Sequence, residues 1–469
     1  MIDTTKIKEP TLVKILIALF FAIGCWVIAR FDGTGDTGDS ITHYFYARYA
    51  VVHPDLFFHH WAKPLFVLLA SPFAQFGFNG IKFFNLINAT LTLWLTYQLA
   101  KRLDLRHPFV AVLILATCSG YFTLTFSGLT EHLFALLLVW AILELHTEGY
   151  LLGSVLISFL PFVRSEGLLM VGLVGLYLLS QKQWKMLPFL TVGHLVYGLA
   201  GAMVHGSVFW IFTKIPYATL NAYGHGGLFD FFEKLYYMTG LPQFILWVLG
   251  VVSVVFILKK RTPQYKSLLI LVYGCFFALF IAHSLFWYFG VFMSMGLSRV
   301  LNAVMPLFAL IGLCGFNFLA TFITNEKGKT ILKTVFISLL LIFPLTSNPA
   351  AINPKRKLMA ENNQVVARQI AEVLKAKYPY HIYYLLHPQI ALSLDLDYFD
   401  DTQVRDFGKY GQQPLPPNAI LIWDSWFCVV DAGIPLEKVE KDTRLEKIED
   451  VKAEKDWRFV VFKVKGPPQ

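Results

Sequence analysis

The sequence predicts an all-α polytopic membrane protein that carries a small soluble α/β domain at its C-terminal end. Hydrophobic residues occupy 56% of the 469 positions, charged residues occupy only 15%, and the mean hydropathy is +0.55. These values lie well outside the range of ordinary soluble domains. Apolar segments of roughly bilayer length recur through residues 1–349, and the composition becomes polar in residues 350–469. The change in composition predicts a domain boundary near residue 350.

About eleven apolar segments are predicted to span the membrane as helices. They are 11–30, 80–100, 108–127, 129–147, 150–163, 166–180, 186–204, 241–258, 266–288, 299–322 and 330–348. Several are short for a hydrocarbon core, which implies tilting, local thinning of the bilayer or merging of neighbours. The stretch 63–78 contains Pro64 and Pro72 and is predicted to lie on the outer face instead.

Short basic runs between the spans predict the orientation. Runs of Lys and Arg at 101–106, 182–185, 259–261 and 327–329 fall on one side of the predicted membrane, together with Lys6 and Lys8. By the positive-inside bias this side is the cytoplasm. The N-terminus is therefore expected inside and residues 350–469 outside. This distribution accounts for the formal charge of +9 without nucleic acid as a partner.

The C-terminal region has the pattern of a small α/β domain. An amphipathic stretch runs from Met359 to Tyr378, and strand-like runs follow at His381–Leu386, Ala419–Trp423 and Arg458–Val464. The five cysteines are widely scattered and form neither a disulfide framework nor a metal motif. We expect this domain on the same side of the membrane as the loop that follows the first span.

That first outer loop, part of the segment 31–79, carries the strongest indication of chemistry. Asp36 and Asp39 lie among glycines and threonines, with no Lys or Arg until Arg48. A carboxylate poised at a membrane surface can act as a general base on an incoming hydroxyl or amine. Asp39 also suits the N-cap of a helix that begins at Ser40, and Asp36 suits a solvated loop acid or a second acid that binds a cation or orients the acceptor.

Other ionisable residues are predicted at the outer ends of spans, where they converge on one surface. They are His43, Glu131, His132, Arg164, Glu166, Arg299 and the loop Lys214–Gly240 with His225. Unpaired charges at such positions are costly, so a group of them on one face indicates a functional site.

Several short motifs resemble one family of membrane enzymes. They are Asp39-Ser40, Lys63-Pro64-Leu65, Phe76-Gly77-Phe78-Asn79-Gly80, Phe162-Val-Arg164-Ser-Glu166-Gly167, and Ser298-Arg299-Val-Leu-Asn302 with Pro306. Together they resemble the C-superfamily (GT-C) of integral-membrane glycosyltransferases, which includes protein O-mannosyltransferases and the aminoarabinose transferases of lipid A. The resemblance covers about the first 310 residues. The chain departs from the usual pattern at Ser40, where a second acid is usual, and at Leu65, where a second proline is usual.

The resemblance implies an inverting glycosyltransferase that moves a sugar, mannose being one candidate, from a polyprenyl-phosphate carrier to an acceptor protein or glycolipid. Transfer would occur on the outer face of a bacterial cytoplasmic (inner) membrane. Asp39 would accept the acceptor's proton, while Arg164, Arg299 and Lys63 would stabilise the departing lipid phosphate. No cofactor is required by this scheme, and the need for a divalent metal is left open.

Each remaining candidate also has a purely structural interpretation. The arginines suit interfacial snorkelling toward lipid phosphates. His43 lies four residues after Asp39 and suits an Asp39 partner, a metal ligand or a plain interfacial side chain. Glu131 suits substrate orientation or a salt bridge to Arg164. The loop Tyr217–Tyr237, which contains His225, suits a substrate cover or an ordinary connector.

Two other classes of function are compatible with the composition. A transporter or lipid flippase would place ionisable residues deep within its spans, around broken helices at the bilayer midplane. A structural or receptor protein would not need the acidic loop. The predicted spans are largely free of charge in their middles, which favours the transferase.

Overall fold

The computed structural model describes residues 9–216, 223–260, 264–412 and 414–465, and the described chain is mostly helical. The helices of the first 345 residues are α1 Glu9–Arg30, α2 Asp39–Tyr49, α3 Pro64–Ala74, α4 Phe78–Arg102, α5 Phe109–Thr117, α6 Ser119–Leu124, α7 Glu131–His146, α8 Tyr150–Phe159, α9 Gly167–Ser180, α10 Val192–His205, α11 Trp210–Thr213, α12 Asp230–Thr239, α13 Leu241–Lys260, α14 Cys275–Phe289, α15 Met305–Ala320 and α16 Glu326–Ile342. Short 3₁₀ helices cover Pro54–Phe58, Leu160–Phe162, Trp184–Thr191, Ser298–Val304 and Phe343–Leu345, and Ser267–Gly274 is a π-helix that continues into α14.

The described residues contain six helical segments that are long and apolar enough to cross a bilayer. They are Glu9–Arg30, Trp184–His205, Leu241–Lys259, Ser267–Phe289, Ser298–Ala320 and Glu326–Leu345. Three shorter apolar helices cover Pro64–Ala74, Tyr150–Phe162 and Gly167–Ser180. The composition and these helices together identify an integral membrane protein with several spans.

One expected span is interrupted in the structure, and the stretch that was not expected to span is short. The predicted span 108–127 divides at Cys118, whose extended backbone separates α5 from α6. The stretch 63–78 forms α3, an eleven-residue helix that is too short to cross a bilayer upright.

The C-terminal region contains a five-stranded mixed sheet. Its elements are α17 Pro354–Lys357, α18 Asn362–Lys377, β1 Ile382–Leu385, α19 Pro388–Leu394, β2 Val404–Asp406, a 3₁₀ turn Phe407–Lys409, β3 Ala419–Asp424, a π-helical turn Phe427–Asp431, α20 Leu436–Glu440, β4 Leu445–Lys452 and β5 Arg458–Val464. The strand order is β2-β1-β3-β5-β4; β1 pairs in parallel with β2 and β3, and β5 pairs antiparallel with β3 and β4. The three strands predicted from the sequence are present, whereas β2 and β4 were not predicted.

This sheet region packs directly on the outer loop and on α2. Tyr49 donates a hydrogen bond to the carbonyl oxygen of Leu396 at 2.7 Å, and the ring of Tyr398 stacks on Phe45 with centroids 5.0 Å apart. In the loop, the side chain of Gln364 donates to Thr34 Oγ1 at 2.6 Å. The sheet region and the acidic loop therefore lie on the same side of the molecule, as the sequence predicts.

Candidate active site

The acidic loop is held in one conformation by its small polar residues. Ser40 is fully buried; its hydroxyl donates to the carbonyl oxygen of Thr34 at 2.6 Å and accepts from the backbone N–H of Gly128 at 2.7 Å. Gly35 adopts a φ of +76°, and a Cβ there would come within 2.6 Å of Ser127. Ser40 thus fastens the loop to the turn before α7, which gives this departure from the GT-C pattern a structural role.

Asp36, rather than Asp39, satisfies the backbone at the start of α2. Asp36 Oδ1 accepts from the backbone N–H of Gly38 at 2.7 Å and from that of Ser40 at 3.4 Å. Gly38 occupies the N-cap position, and Asp39 is the first residue of the helix. The interpretation of Asp39 as the N-cap is therefore wrong, and its carboxylate is available for other contacts.

Arg299 is the cation nearest to both loop acids. Its guanidinium forms an ion pair with Asp39, lies 3.7 Å from Asp36 Oδ2 and 4.0 Å from Glu131 Oε1. The arginine is positioned by the 3₁₀ turn Ser298–Val304, in which Asn302 donates to the Arg299 carbonyl oxygen at 3.0 Å. The late arginine-bearing motif and the acidic loop, 260 residues apart in sequence, thus meet at one point.

Arg164 forms a second cationic centre beside the first. Its guanidinium lies 2.8 Å from Glu131 Oε1 and 2.9 Å from Glu166 Oε1, and it donates to Thr130 Oγ1 at 3.2 Å. Glu131 is completely buried at the first position of α7, where the helix dipole favours a negative charge. The predicted pair of Glu131 and Arg164 is present, and Glu131 bridges the two arginines.

Lys63 joins this group through the turn that bears Arg164. The lysine has a φ of +68°, its side chain is buried, and its Nζ donates to Ser165 Oγ at 2.8 Å. Burial lowers the pKa of Lys63 to about 8, although the nearby Glu166 carboxylate favours the charged form. Lys63 therefore lies on the turn next to Arg164, and Arg164 and Arg299 share the Glu131 carboxylate beside the acidic loop.

The two loop acids differ in their electrostatics. Burial raises the pKa of the Asp36 carboxyl, and the negative charge of Asp39 adds to this effect beyond what Arg299 offsets. Burial is also the largest single influence on Asp39, but the charge and the hydrogen bond of Arg299, together with the smaller effects of His43 and Arg164, hold the pKa of Asp39 below its usual value. The Asp39 side chain is 45% exposed and that of Asp36 is 22% exposed. Asp39 is thus the more acidic and the more accessible of the two carboxyl groups.

The structure places the candidate histidines His43 and His225 differently. His43 stacks on Trp61 with centroids 4.6 Å apart and meets Phe66 edge-on, and burial lowers its pKa to about 3. A neutral, stacked ring supports the interpretation of His43 as a packing residue. It makes an ion pair between His43 and Asp39 unfavourable. His225 is exposed. The first part of the predicted loop Tyr217–Tyr237, residues 217–222, lies outside the described residues. The role of His225 in substrate binding stays a prediction.

Sequence reasoning missed one member of the network. His283 Nε2, on α14, lies 3.0 Å from Glu166 Oε1, so Glu166 is held by both Arg164 and His283. No motif surrounds His283; the available signal was an ionisable residue within an apolar span. Within 9–216, 223–260, 264–412 and 414–465, no group of three or more His, Cys, Asp and Glu residues is arranged to hold a metal ion.

Comparison with known proteins identifies the fold. No family model and no curated protein sequence matches the chain. Two crystal structures of ArnT from Cupriavidus metallidurans are similar at 11% sequence identity, and each superposition covers 97% of this chain and 99% of ArnT. The TM-score is 0.64 for ArnT bound to undecaprenyl phosphate and 0.62 for ArnT in the apo state. The chain therefore shares the ArnT fold over nearly its whole length, including the C-terminal sheet region.

Proposed function

We propose that this protein is an inverting glycosyltransferase that takes a sugar from a polyprenyl-phosphate carrier. The observation that carries the proposal is the meeting of Arg164, Arg299 and Lys63 beside the exposed carboxylate of Asp39. The ArnT fold supports it, because ArnT was crystallised with undecaprenyl phosphate, a lipid of the proposed carrier class.

In this mechanism the cations bind the phosphate of the donor. As the bond between the anomeric carbon and the phosphate oxygen breaks, its electron pair leaves with the phosphate, which changes from a singly charged diester into a monoester. Guanidinium groups stabilise such charge through paired hydrogen bonds, and the effect is stronger in a site shielded from water. We assign this role to Arg299 and Arg164, with Lys63 as a third cation.

Asp39 acts on the acceptor in the same step. The acceptor oxygen attacks the anomeric carbon from the face opposite the phosphate, which inverts the configuration, and the hydroxyl proton passes to the Asp39 carboxylate. Arg299 contacts Asp39 directly, so a phosphate that draws the guanidinium away would make Asp39 a stronger base. Donor binding would thereby prepare the base for the acceptor.

The proposal extends to topology and substrate. We infer about eleven spans, a cytoplasmic N-terminus, and a site on the outer face of a bacterial inner membrane, with 1–349 as the transmembrane domain and 350–469 as an extracytoplasmic domain. The basic runs between the spans support this orientation. Mannose is one candidate for the sugar, and the candidate acceptors are a protein and a glycolipid. Both proposals rest on the motif resemblance.

The test uses the full chain purified in detergent and a panel of radiolabelled polyprenyl-phosphate sugars. We expect one donor to be cleaved, either by transfer to an added acceptor or by slow hydrolysis, and we expect cleavage to be lost in Asp39→Asn. The same donors in proteoliposomes distinguish a flippase, which would move the lipid across the bilayer without breaking the sugar–phosphate bond. That outcome would overturn the proposal.

A further inference from the structure

Two side chains donate hydrogen bonds to the same carboxylate oxygen of Glu166. Arg164 Nη2 lies 2.9 Å from Glu166 Oε1, and His283 Nε2 lies 3.0 Å from this oxygen. An ionised carboxylate can only accept hydrogen bonds, so Nε2 of His283 carries a proton in this contact. Glu166 is therefore held both by a near neighbour in sequence and by α14, the helix that carries His283.

Aromatic packing fixes the histidine in turn. His283 is buried, and the centroid of its ring lies 6.0 Å from that of Phe231 and 5.8 Å from that of Phe286. Phe231 is completely buried on α12, and Phe286 lies three residues after His283 on α14. Because two rings pack against it, the imidazole has little freedom to turn away from Glu166.

Glu166 matters to the site because it orients Arg164. The Arg164 guanidinium contacts Glu166 through Nη2 and Glu131 through Nη1, and contacts at both nitrogens fix its rotation. The third nitrogen, Nε, is buried and has no hydrogen-bond partner among the described residues. A buried donor without a partner is costly, so this N–H is a donor that remains for an oxygen of the donor phosphate.

The pair of Arg164 and Glu166 is local in sequence. Glu166 is the N-cap of α9 and follows Arg164 by two residues, so the pair on its own can shift as one unit. The hydrogen bond from His283 ties this unit to a separate helix. Groups that bind a substrate must be held to within about 0.5 Å by the side chains around them, and His283 occupies the place of such a support.

We propose that His283 is a positioning residue for the sugar donor, which acts through Glu166 on Arg164 and does not touch the donor itself. The inference rests on the proposed function and deepens it. It differs from a purely structural role of His283, in which loss of the hydrogen bond would lower stability and leave the use of the donor unchanged.

The test is a double-mutant cycle on the full-length enzyme, with KM and kcat measured for the donor identified above. His283→Leu should raise KM for the donor about tenfold, as expected for the loss of one hydrogen bond to a charged group, and should change kcat by less than about twofold. In a Glu166→Gln background the same substitution should change KM by less than about twofold, because its path of action is already broken. His283→Gln, whose amide N–H can donate to Glu166, should bring KM back to within about threefold of the wild type.

Ser284→Ala is the matched control. Ser284 is the next residue on α14 and is also buried, but its hydroxyl donates within the helix, to the Phe280 carbonyl oxygen at 2.9 Å. The substitution should leave KM for the donor unchanged. Thermal unfolding of every variant reports stability separately from the use of the donor.

An unchanged KM in a folded His283→Leu enzyme would overturn the inference, as would a full tenfold effect that persists in the Glu166→Gln background. Should His283→Leu fail to fold, His283→Asn replaces it with the same expectation, because the shorter amide does not reach Glu166. A wild-type enzyme that cleaves no donor would overturn the proposed function and this inference with it. Normal cleavage by the wild type together with an unchanged KM in the variant would overturn the inference alone.

Discussion

The two arginines of the site have the same chemistry but differ in the exposure of their carboxylate partners. Arg164 lies between Glu131, which is fully buried, and Glu166, whose side chain is 13% exposed. Arg299 pairs with Asp39, whose side chain is 45% exposed. A buried pair cannot exchange partners without stranding a charge, whereas a pair at the surface can. We therefore regard Arg164 as the fixed part of the site and the pair of Arg299 and Asp39 as the part that responds to substrates.

The largest expected effect tests the responsive part. Asp39→Asn preserves the size of the side chain but removes the proton acceptor, so transfer should fall about 100-fold to 10,000-fold while the protein still folds and binds donor. Steady-state transfer and donor-binding assays measure the two effects separately. Asp36→Asn is the matched control; its amide oxygen can still accept from the Gly38 N–H, so it should retain most of the stability and most of the activity.

Activity that survives in Asp39→Asn but disappears in Asp36→Asn would reassign the base to the earlier acid. Activity in both variants would show that neither acid of this loop is the general base. The pair of Arg299 and Asp39 would then no longer be the part of the site that responds to substrates.

The next effect tests the fixed part. Glu131→Gln leaves Arg164 without one of its two carboxylates in a buried place, which should lower the free energy of unfolding by about 3 kcal/mol. Thermal unfolding in detergent, followed by tryptophan fluorescence, measures this change. Glu326→Gln, at an exposed pair with Lys329, is the control and should leave the melting temperature nearly unchanged. Equal melting temperatures for Glu131→Gln and the wild type would show that the buried pair is not the rigid element.

A third prediction compares the arginines directly. Lysine keeps the charge but loses the planar pair of donors, so Arg299→Lys should weaken donor binding about tenfold with little change in stability. Arg164→Lys should weaken donor binding as well and should in addition reduce stability by about 1 to 3 kcal/mol, because Glu166 loses a hydrogen bond and the buried Glu131 loses a close cation. Donor binding and thermal unfolding are measured on both variants. Equal losses of stability in Arg299→Lys and Arg164→Lys would contradict the distinction between the two arginines.

The sequence predicts much of this site because its members lie at recognisable places. Arg164, Arg299 and Glu131 lie at the ends of apolar segments, and charged groups there are costly unless they meet. Which acid caps α2 was not predictable, since Asp36 reaches the backbone only through the turn at Gly38. His283 was missed because it lies inside an apolar segment with no motif around it, whereas its partner Glu166 belongs to a recognisable motif.

The helices and the apolar strands were predicted from the sequence, whereas two short or exposed strands were not. Long apolar runs identify helices, and β1, β3 and β5 are rich in apolar residues. The strand β4, with the sequence Leu-Glu-Lys-Ile-Glu-Asp-Val-Lys, lies at the sheet edge and is mostly exposed, so hydrophobicity does not reveal it. The strand β2 has only three residues. The count of eleven spans stays a prediction, because several apolar helices are shorter than a bilayer is thick.

The smallest expected effect is a pH dependence of kcat/KM that is caused by Lys63, the third cation of the site. Burial lowers the pKa of Lys63 to about 8, so its side chain is charged below that pH and increasingly neutral above it. If the Lys63 ammonium binds the donor phosphate, kcat/KM for the donor should fall severalfold as the pH rises from 7 to 9. Lys63→Arg keeps its charge over this range and should give a flat profile, although its absolute activity can be lower. A wild-type profile that is flat between pH 7 and 9, or one whose fall persists in Lys63→Arg, would exclude Lys63 from phosphate binding. In that case the donor phosphate would be bound by Arg299 and Arg164 without the lysine.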